Sequence, residues 1–132
     1  MRKFRWIQYD LSLFLSGSPI KNATLGSFIV SRQMMVPPLA PDSVCFAGKE
    51  GTSGDFTMYL KLFSAGDNYV TANTVGTIYF AQNTKQGVLT INQGINFLQG
   101  DMLQVTTDNV QQVPTNLGDI SLTILGFSVL RT

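Results

Sequence analysis

The stretch 56-FTMYLKLF-63 alternates large apolar residues at its even-numbered positions with threonine, tyrosine and lysine at odd-numbered ones. A period of two is typical of a β-strand that buries one face, because successive side chains point to opposite sides of the pleated backbone. An amphipathic helix would instead need apolar residues at a period near 3.6. The stretch therefore predicts a strand whose even-numbered residues share one apolar face, and such a face suits either the core or a neighbouring subunit.

Similar apolar segments recur along the chain, separated by turns rich in glycine, proline and asparagine, and no stretch has a convincing helical period. Short strands at regular spacing predict an all-β fold of about eight antiparallel strands, either a two-sheet β-sandwich or a jelly roll. We expect one domain over residues 9–132 and an extended N-terminal arm over residues 1–8. The other strand signals lie at residues 9–15, 25–36, 44–47, 75–81, 88–91, 95–98, 102–106 and 120–129.

The composition argues against most enzymatic and nucleic-acid functions. The 132 residues contain no histidine, which removes Ser-His-Asp catalysis and His-ligated zinc, and the single Cys45 excludes an internal disulfide. A net charge of +1 does not favour binding driven by phosphate neutralisation. We expect no catalytic residues, no metal, no cofactor, no nucleic-acid partner and no membrane segment.

Charged residues make up only 13% of the chain, about half the usual share. Serine, threonine, asparagine and glutamine occupy most of the outward strand positions instead. Uncharged polar surface is easier to desolvate than surface that carries ions. This pattern favours packing against other copies or a larger assembly, and the alternative is a monomer with a neutral surface.

The N-terminus concentrates positive charge and aromatic side chains. Arg2, Lys3 and Arg5 alternate with Phe4 and Trp6. One interpretation is a solvated chain end. The other is a partner-binding arm that charge steers to an acidic surface and that the aromatic rings anchor by burial. The apolar residues that follow are too few and too interrupted for a signal peptide.

Three aspartates form the best carboxylate set, and two explanations remain open for them. Asp101 and Asp119 each follow a glycine just before a strand, which is typical of a turn cap. Together with Asp108 they would otherwise be candidates for calcium binding, although calcium needs six to eight oxygen ligands. Cys45, between Val44 and Phe46, is expected to be a small buried apolar residue rather than a nucleophile.

Several segments resemble a family of bacteriophage virion β-domains, which occur as small stand-alone proteins and as modules of tail proteins. The segments that show this resemblance are YDLSLFLSGSP (residues 9–19), FIVSR (28–32), VGTIYFA (75–81), FLQGDMLQV (97–105) and LGDISLTI (117–124). The family's proline-aspartate loop is replaced here by the longer segment 106–114. The resemblance implies a jelly-roll-like module of a virus particle, a homotrimer without enzymatic activity.

Two functions follow from the resemblance. The first is a capsid decoration (cement) protein, made in the host cytoplasm, that binds the major capsid protein on the outer head surface of the virion and stabilises the shell by bridging subunits. Residues 2–6 would then contact the capsid. The alternative is a tail-associated or tail-fibre receptor-binding module that binds host glycan, with Tyr59, Tyr69 and Tyr79 as candidate stacking platforms.

Overall fold

The computed structural model describes residues 4–131, without the side chains of residues 4–6 and 129–131. The described residues form twelve strands and one 3-10 turn, so the predicted all-β class is confirmed. The strands are β1 (Phe4–Gln8), β2 (Leu11–Leu15), β3 (Thr24–Ile29), β4 (Met34–Val36), β5 (Val44–Lys49), β6 (Phe56–Phe63), β7 (Ala72–Phe80), β8 (Val88–Thr90), β9 (Ile95–Phe97), β10 (Met102–Thr106), β11 (Gly118–Ile124) and β12 (Phe127–Arg131).

Within the described chain, the strands form three antiparallel sheets. One sheet has the order β1-β12-β4-β9, the second β3-β10-β6-β7-β8, and the third β2-β11-β5. Side chains from all three sheets enclose a single apolar core. This arrangement agrees with the expected antiparallel sandwich, but the strands are divided among three sheets instead of the expected two.

The structure has twelve strands where the sequence marks nine segments, because a bend divides each of two segments and the expected arm contributes β1. The run 25–36 forms two strands, β3 and β4, which belong to different sheets. At the other end, the segment 120–129 is divided between β11 and β12. A residue pattern with a period of two does not show where a strand leaves one sheet and enters another.

The first and last parts of the chain form one long antiparallel ribbon. β1 pairs with β12 and β2 pairs with β11. The ribbon bends where the Tyr9 amide donates a 2.8 Å hydrogen bond to the Gly126 carbonyl oxygen. Because of this bend, one half of the ribbon joins β4 and the other half joins β5.

The core confirms the alternation in β6. Phe56, Met58 and Leu60 are almost fully buried, whereas Thr57 and Tyr59 lie on the opposite face and remain half-buried. The neighbouring strands contribute buried residues in the same way, including Ile78 and Phe80 from β7, and Leu103 and Val105 from β10. Sheet β3-β10-β6-β7-β8 therefore has one apolar inner face and one outer face of mixed polarity.

We expect Gly126→Ala to destabilise the fold by about 1–3 kcal/mol, because it introduces a methyl group at the crowded bend. The added Cβ would overlap Cε of Met34 and lie 3.0 Å from the carbonyl oxygens of Met35 and Tyr9. Gly54→Ala is the matched control, since no heavy atom lies within 4 Å of its Cβ position. Urea unfolding measures both variants, and equal stabilities would contradict the packing assigned to the bend.

Candidate interaction surface

Three large apolar side chains are exposed on the outer face of sheet β2-β11-β5. Phe14 is 62% exposed, Phe46 49% and Val44 48%. Phe14 lies opposite Ser121 of β11, and Ser121 lies opposite Phe46 of β5. Residues directly opposite each other in antiparallel strands project to the same face. The two phenylalanines therefore flank Ser121 on one continuous surface.

The exposed apolar surface continues from β5 to β8. Phe46 forms an isolated antiparallel bridge with Gln86, and two backbone hydrogen bonds of 2.7 and 2.8 Å hold this joint. Val88 lies two residues after Gln86, is 55% exposed and pairs with Tyr79 of β7. We name this surface the apolar band, and it consists of Phe14, Val44, Phe46, Tyr79 and Val88.

The apolar band has uncharged neighbours between its members. Ser12 and Thr123 lie on the same face of the sheet and share a 3.3 Å hydrogen bond between their hydroxyl groups. The exposed area of the band is on the order of 400 Å², within the ~300–600 Å² of apolar patches that often have a function in monomers. Because hydroxyl groups cost less to desolvate than ions, the band and its surroundings suit contact with another protein.

The phenol of Tyr79 is held at one end of the band by Asp55. A hydrogen bond to this carboxylate and partial burial raise the pKa of Tyr79 above its ordinary value. Asp55 also accepts a 2.8 Å hydrogen bond from the Gln82 amide. The phenol therefore stays neutral at physiological pH and contributes a ring to the band without adding charge.

A second polar cluster attaches the long loop before β11 to the outer face of β6. The carboxylate of Asp108 accepts hydrogen bonds from the Tyr59 hydroxyl at 3.2 Å and from the Gln111 side chain at 2.9 Å. The Gln111 amide group also bonds both backbone groups of Thr57, at 2.9 and 3.0 Å. Backbone and side-chain hydrogen bonds from Gln111 are the main cause that lowers the pKa of Asp108 to about 2.

The predicted partner-binding residues lie at the edge of sheet β1-β12-β4-β9. Arg2 and Lys3 fall outside the described residues, as do the side chains of Phe4, Arg5 and Trp6. The backbone of residues 4–8 is extended and pairs with β12 along its whole length. This part of the expected arm is thus an edge strand of the sheet, and its contact with a partner stays a prediction.

The three aspartates are separate from one another and bind backbone amides. Asp101 accepts hydrogen bonds from the amides of Ala65 and Leu98, and Asp119 accepts one from Gly17. Asp101 therefore caps a turn as predicted, because the Leu98 amide belongs to the same turn. Asp119 instead lies within β11 and binds the amide of Gly17, 102 positions away in the chain. Across the described part of the chain, no group of three or more histidine, cysteine, aspartate or glutamate residues has a metal-binding arrangement.

The thiol of Cys45 is buried in the core, as predicted from its apolar neighbours. It is only 1% exposed, and burial raises its pKa to about 12. A thiol with this pKa is almost entirely protonated at neutral pH and is a poor nucleophile. Cys45 is consequently a packing residue.

The three candidate stacking tyrosines do not form one platform. Tyr59 and Tyr79 lie on the same outer sheet face, but their hydroxyl groups are bound to different aspartates. Tyr69 lies just after the 3-10 turn and donates a 2.6 Å hydrogen bond to the Gly100 carbonyl oxygen. Of the three, only Tyr79 belongs to the apolar band.

No family model, curated protein or solved structure matches the chain. Between residues 4 and 131, no helix has the length and apolar character needed to cross a membrane. The functional argument therefore rests on the surfaces that the fold presents.

The apolar band was not identified from the sequence, although part of its signal is visible there. Phe14 interrupts the polar side of the alternation in residues 9–15. The sequence does not indicate that Phe46 is exposed, because its segment is short and the pattern does not specify which side faces the core. The joint between β5 and β8 involves residues about forty positions apart, so their adjacency has no local signature.

We expect the stability contributed by Asp108 to depend on pH. Its folded-state pKa of about 2 lies below the ordinary 3.8, so the contribution is present above pH 3.8 and is lost as the pH falls toward 2. Asp108→Asn should lower the melting temperature at pH 7, and its difference from the unmodified protein should shrink by pH 2.

Asp42→Asn is the matched control, because the Asp42 carboxylate accepts no hydrogen bond from the described residues. Thermal unfolding monitored by circular dichroism between pH 2 and pH 7 measures all three proteins. A constant difference between Asp108→Asn and the unmodified protein across this range would contradict the role assigned to the carboxylate.

Proposed function

We propose that this chain is a non-enzymatic structural protein of a bacteriophage virion. It acts as a decoration (cement) protein that binds the outer head surface and stabilises the shell by bridging capsid subunits. The observation that carries this proposal is the apolar band, an exposed sheet face with uncharged polar neighbours. The segments that resemble phage virion β-domains support the same conclusion.

The order of the strands supports the jelly-roll form of the sandwich. One sheet contains, in order, β1, β12, β4 and β9. A second sheet contains, in order, β3, β10, β6 and β7. The chain therefore passes between these sheets from β3 to β4, from β8 to β9 and from β9 to β10. Paired Greek keys of this kind are found in viral capsid domains and in lectins.

A single copy of the apolar band is too small to hold the protein on a shell. Stable interfaces bury about 800 Å² on each partner, roughly twice the area of the band. A homotrimer, which the resemblance to virion domains supports, would present three bands at once. Its three contacts would add avidity, since the second and third bind at a high effective concentration.

Shell stabilisation then follows from mass action. A protein that binds the assembled shell but not the dissociated subunits stabilises the shell by RT ln(1 + [L]/Kd). At a free concentration one hundred times Kd this amounts to about 2.7 kcal/mol for each site. A capsid offers many equivalent sites, so this stabilisation is repeated over the whole shell. It requires no chemical step.

The double variant Phe14→Ser/Phe46→Ser tests the band. We expect it to fold normally, because Phe14 is 62% exposed and Phe46 is 49% exposed. We expect it to bind the capsids of the encoding virus at least tenfold more weakly than the unmodified protein does. Co-sedimentation with purified capsids measures binding. The matched control is Val70→Ser/Val110→Ser, which removes apolar side chains that are 78% and 80% exposed outside the band.

Light scattering on the same variants separates capsid contact from self-association. A native mass near three times 14.5 kDa in every variant, with binding lost only in Phe14→Ser/Phe46→Ser, supports the proposal. Loss of the trimer in that variant would instead assign the band to the subunit interface. Failure of the unmodified protein to bind capsids would overturn the proposed function.

Charge at the N-terminus is the second determinant of capsid binding in this proposal. Reversal of Arg2, Lys3 and Arg5 to glutamate should weaken binding more at low salt than at high salt, because screening reduces electrostatic attraction. Reversal is a cleaner change than deletion, since residues 4–6 belong to β1. Equal binding by the reversed and unmodified proteins at low salt would exclude an electrostatic role for these residues.

A tail-associated receptor-binding module is the second candidate. The observation that favours it is a cleft beside β7 and β9 whose polar side chains are hydroxyl and carboxamide groups. Such groups form hydrogen bonds with sugars. Labelling of the protein in intact virions distinguishes the candidates, because signal on the head supports the cement function and signal on the tail supports receptor binding.

A further inference from the structure

The cleft lies where the chain passes from sheet β3-β10-β6-β7-β8 to sheet β1-β12-β4-β9. Its volume is about 480 Å³, within the ~300–1,000 Å³ of small-molecule sites. Residues 74–77 of β7 form one wall, and residues 92–96 form the other. Leu62, Val75 and Ile95 supply its apolar part.

The cleft exists because β8 is much shorter than β7. β8 ends at Thr90, which lies opposite Thr77, so residues 72–76 extend past their neighbour. Gly76 allows the end of β8 to pack closely, since a Cβ there would lie 2.8 Å from the Thr90 carbonyl oxygen. β9, on the other side, is the edge strand of its own sheet. The cleft is thus bordered by two strand edges with free backbone groups.

The polar lining of the cleft carries no ionisable side chain. Each hydroxyl and carboxamide group is both a donor and an acceptor, and none forms a side-chain hydrogen bond to a described residue. Lys61 lies opposite Thr74 on β6 but does not line the cleft. A phosphate or carboxylate ligand would therefore find no opposite charge among the lining residues to offset its desolvation. The polar lining residues are Thr74, Thr77, Thr90, Asn92, Gln93 and Asn96.

We infer that this cleft binds a neutral oligosaccharide. Sugar hydroxyl groups are donors and acceptors at once, and therefore match the carboxamide and hydroxyl groups on both walls. The apolar faces of sugar rings match Leu62, Val75 and Ile95. The inference is independent of the capsid proposal, because the cleft and the apolar band share no residue.

An extended peptide is the competing occupant, since free strand edges accept added strands. The closed end of the cleft at Gly76 and Thr90 opposes this mode, because the end of β8 already covers the edge of β7 beyond residue 76. The many carboxamide groups also favour a ligand with many hydroxyl groups over a peptide with apolar side chains.

Titration of the isotope-labelled protein with neutral trisaccharides tests the inference. The probes are maltotriose, cellotriose, mannotriose and tri-N-acetylchitotriose, each to about 10 mM, which detects millimolar affinity. We expect at least one to shift the amide signals of residues 74–77 and 90–96. Trigalacturonic acid, an anionic trisaccharide, should bind at least tenfold more weakly than the best neutral probe.

The double variant Asn92→Ala/Asn96→Ala should bind the best neutral trisaccharide with about tenfold lower affinity, as expected for the loss of two hydrogen bonds. Asn73→Ala is the matched control, because Asn73 is exposed on β7 but does not line the cleft. Thr77→Val provides a variant that removes one hydroxyl group while keeping the β-branched shape.

Three results would overturn the inference: no shift with any probe, shifts outside the two walls, or equal weakening by Asn73→Ala. Binding of an unstructured polar peptide at the cleft, without any saccharide, would assign the site to strand addition. Capsid binding by Asn92→Ala/Asn96→Ala should be unchanged, so failure of this inference is distinguishable from failure of the capsid proposal.

Discussion

Antiparallel pairing between the two ends of the described chain holds the whole architecture together. β1 and β2 pair with β12 and β11, which brings together residues more than one hundred positions apart. The bend at Tyr9 and Gly126 allows this ribbon to belong to two sheets, so both close over the same core. Every other strand is positioned against a sheet that this ribbon completes or covers.

The assembled sheets show where the uncharged polar residues of this low-charge chain lie. On the outer face of sheet β2-β11-β5, Ser121 separates the exposed rings of Phe14 and Phe46, and Thr123 lies between Ser12 and Val44. The same composition gives the cleft beside β7 a lining that is polar but not ionic. Both surfaces can be desolvated without burying unpaired charge, which suits the binding functions proposed for them.

The sequence anticipates some local features of these surfaces and misses others. Asp101 caps a turn because its carboxylate reaches the Leu98 amide across that turn, as its position after a glycine indicates. Asp119 binds the amide of the distant Gly17, which its position after a glycine does not indicate. Asp108 binds Tyr59 of a strand nearly fifty residues away, so its cluster has no comparable signature. The cleft is likewise invisible in the sequence, because its walls meet only when β8 ends short of β7 and the chain crosses to β9.

The sequence by itself determines the all-β class, the position of most strands and which residues of β6 share its apolar face. These properties depend on the alternation of neighbouring side chains, which is local. The tertiary structure alone decides which strands share a sheet, where the end ribbon bends, and that β5 meets the segment before β8. Those outcomes depend on register and packing between distant segments, where the best burial of apolar area selects one arrangement among many with the same alternation.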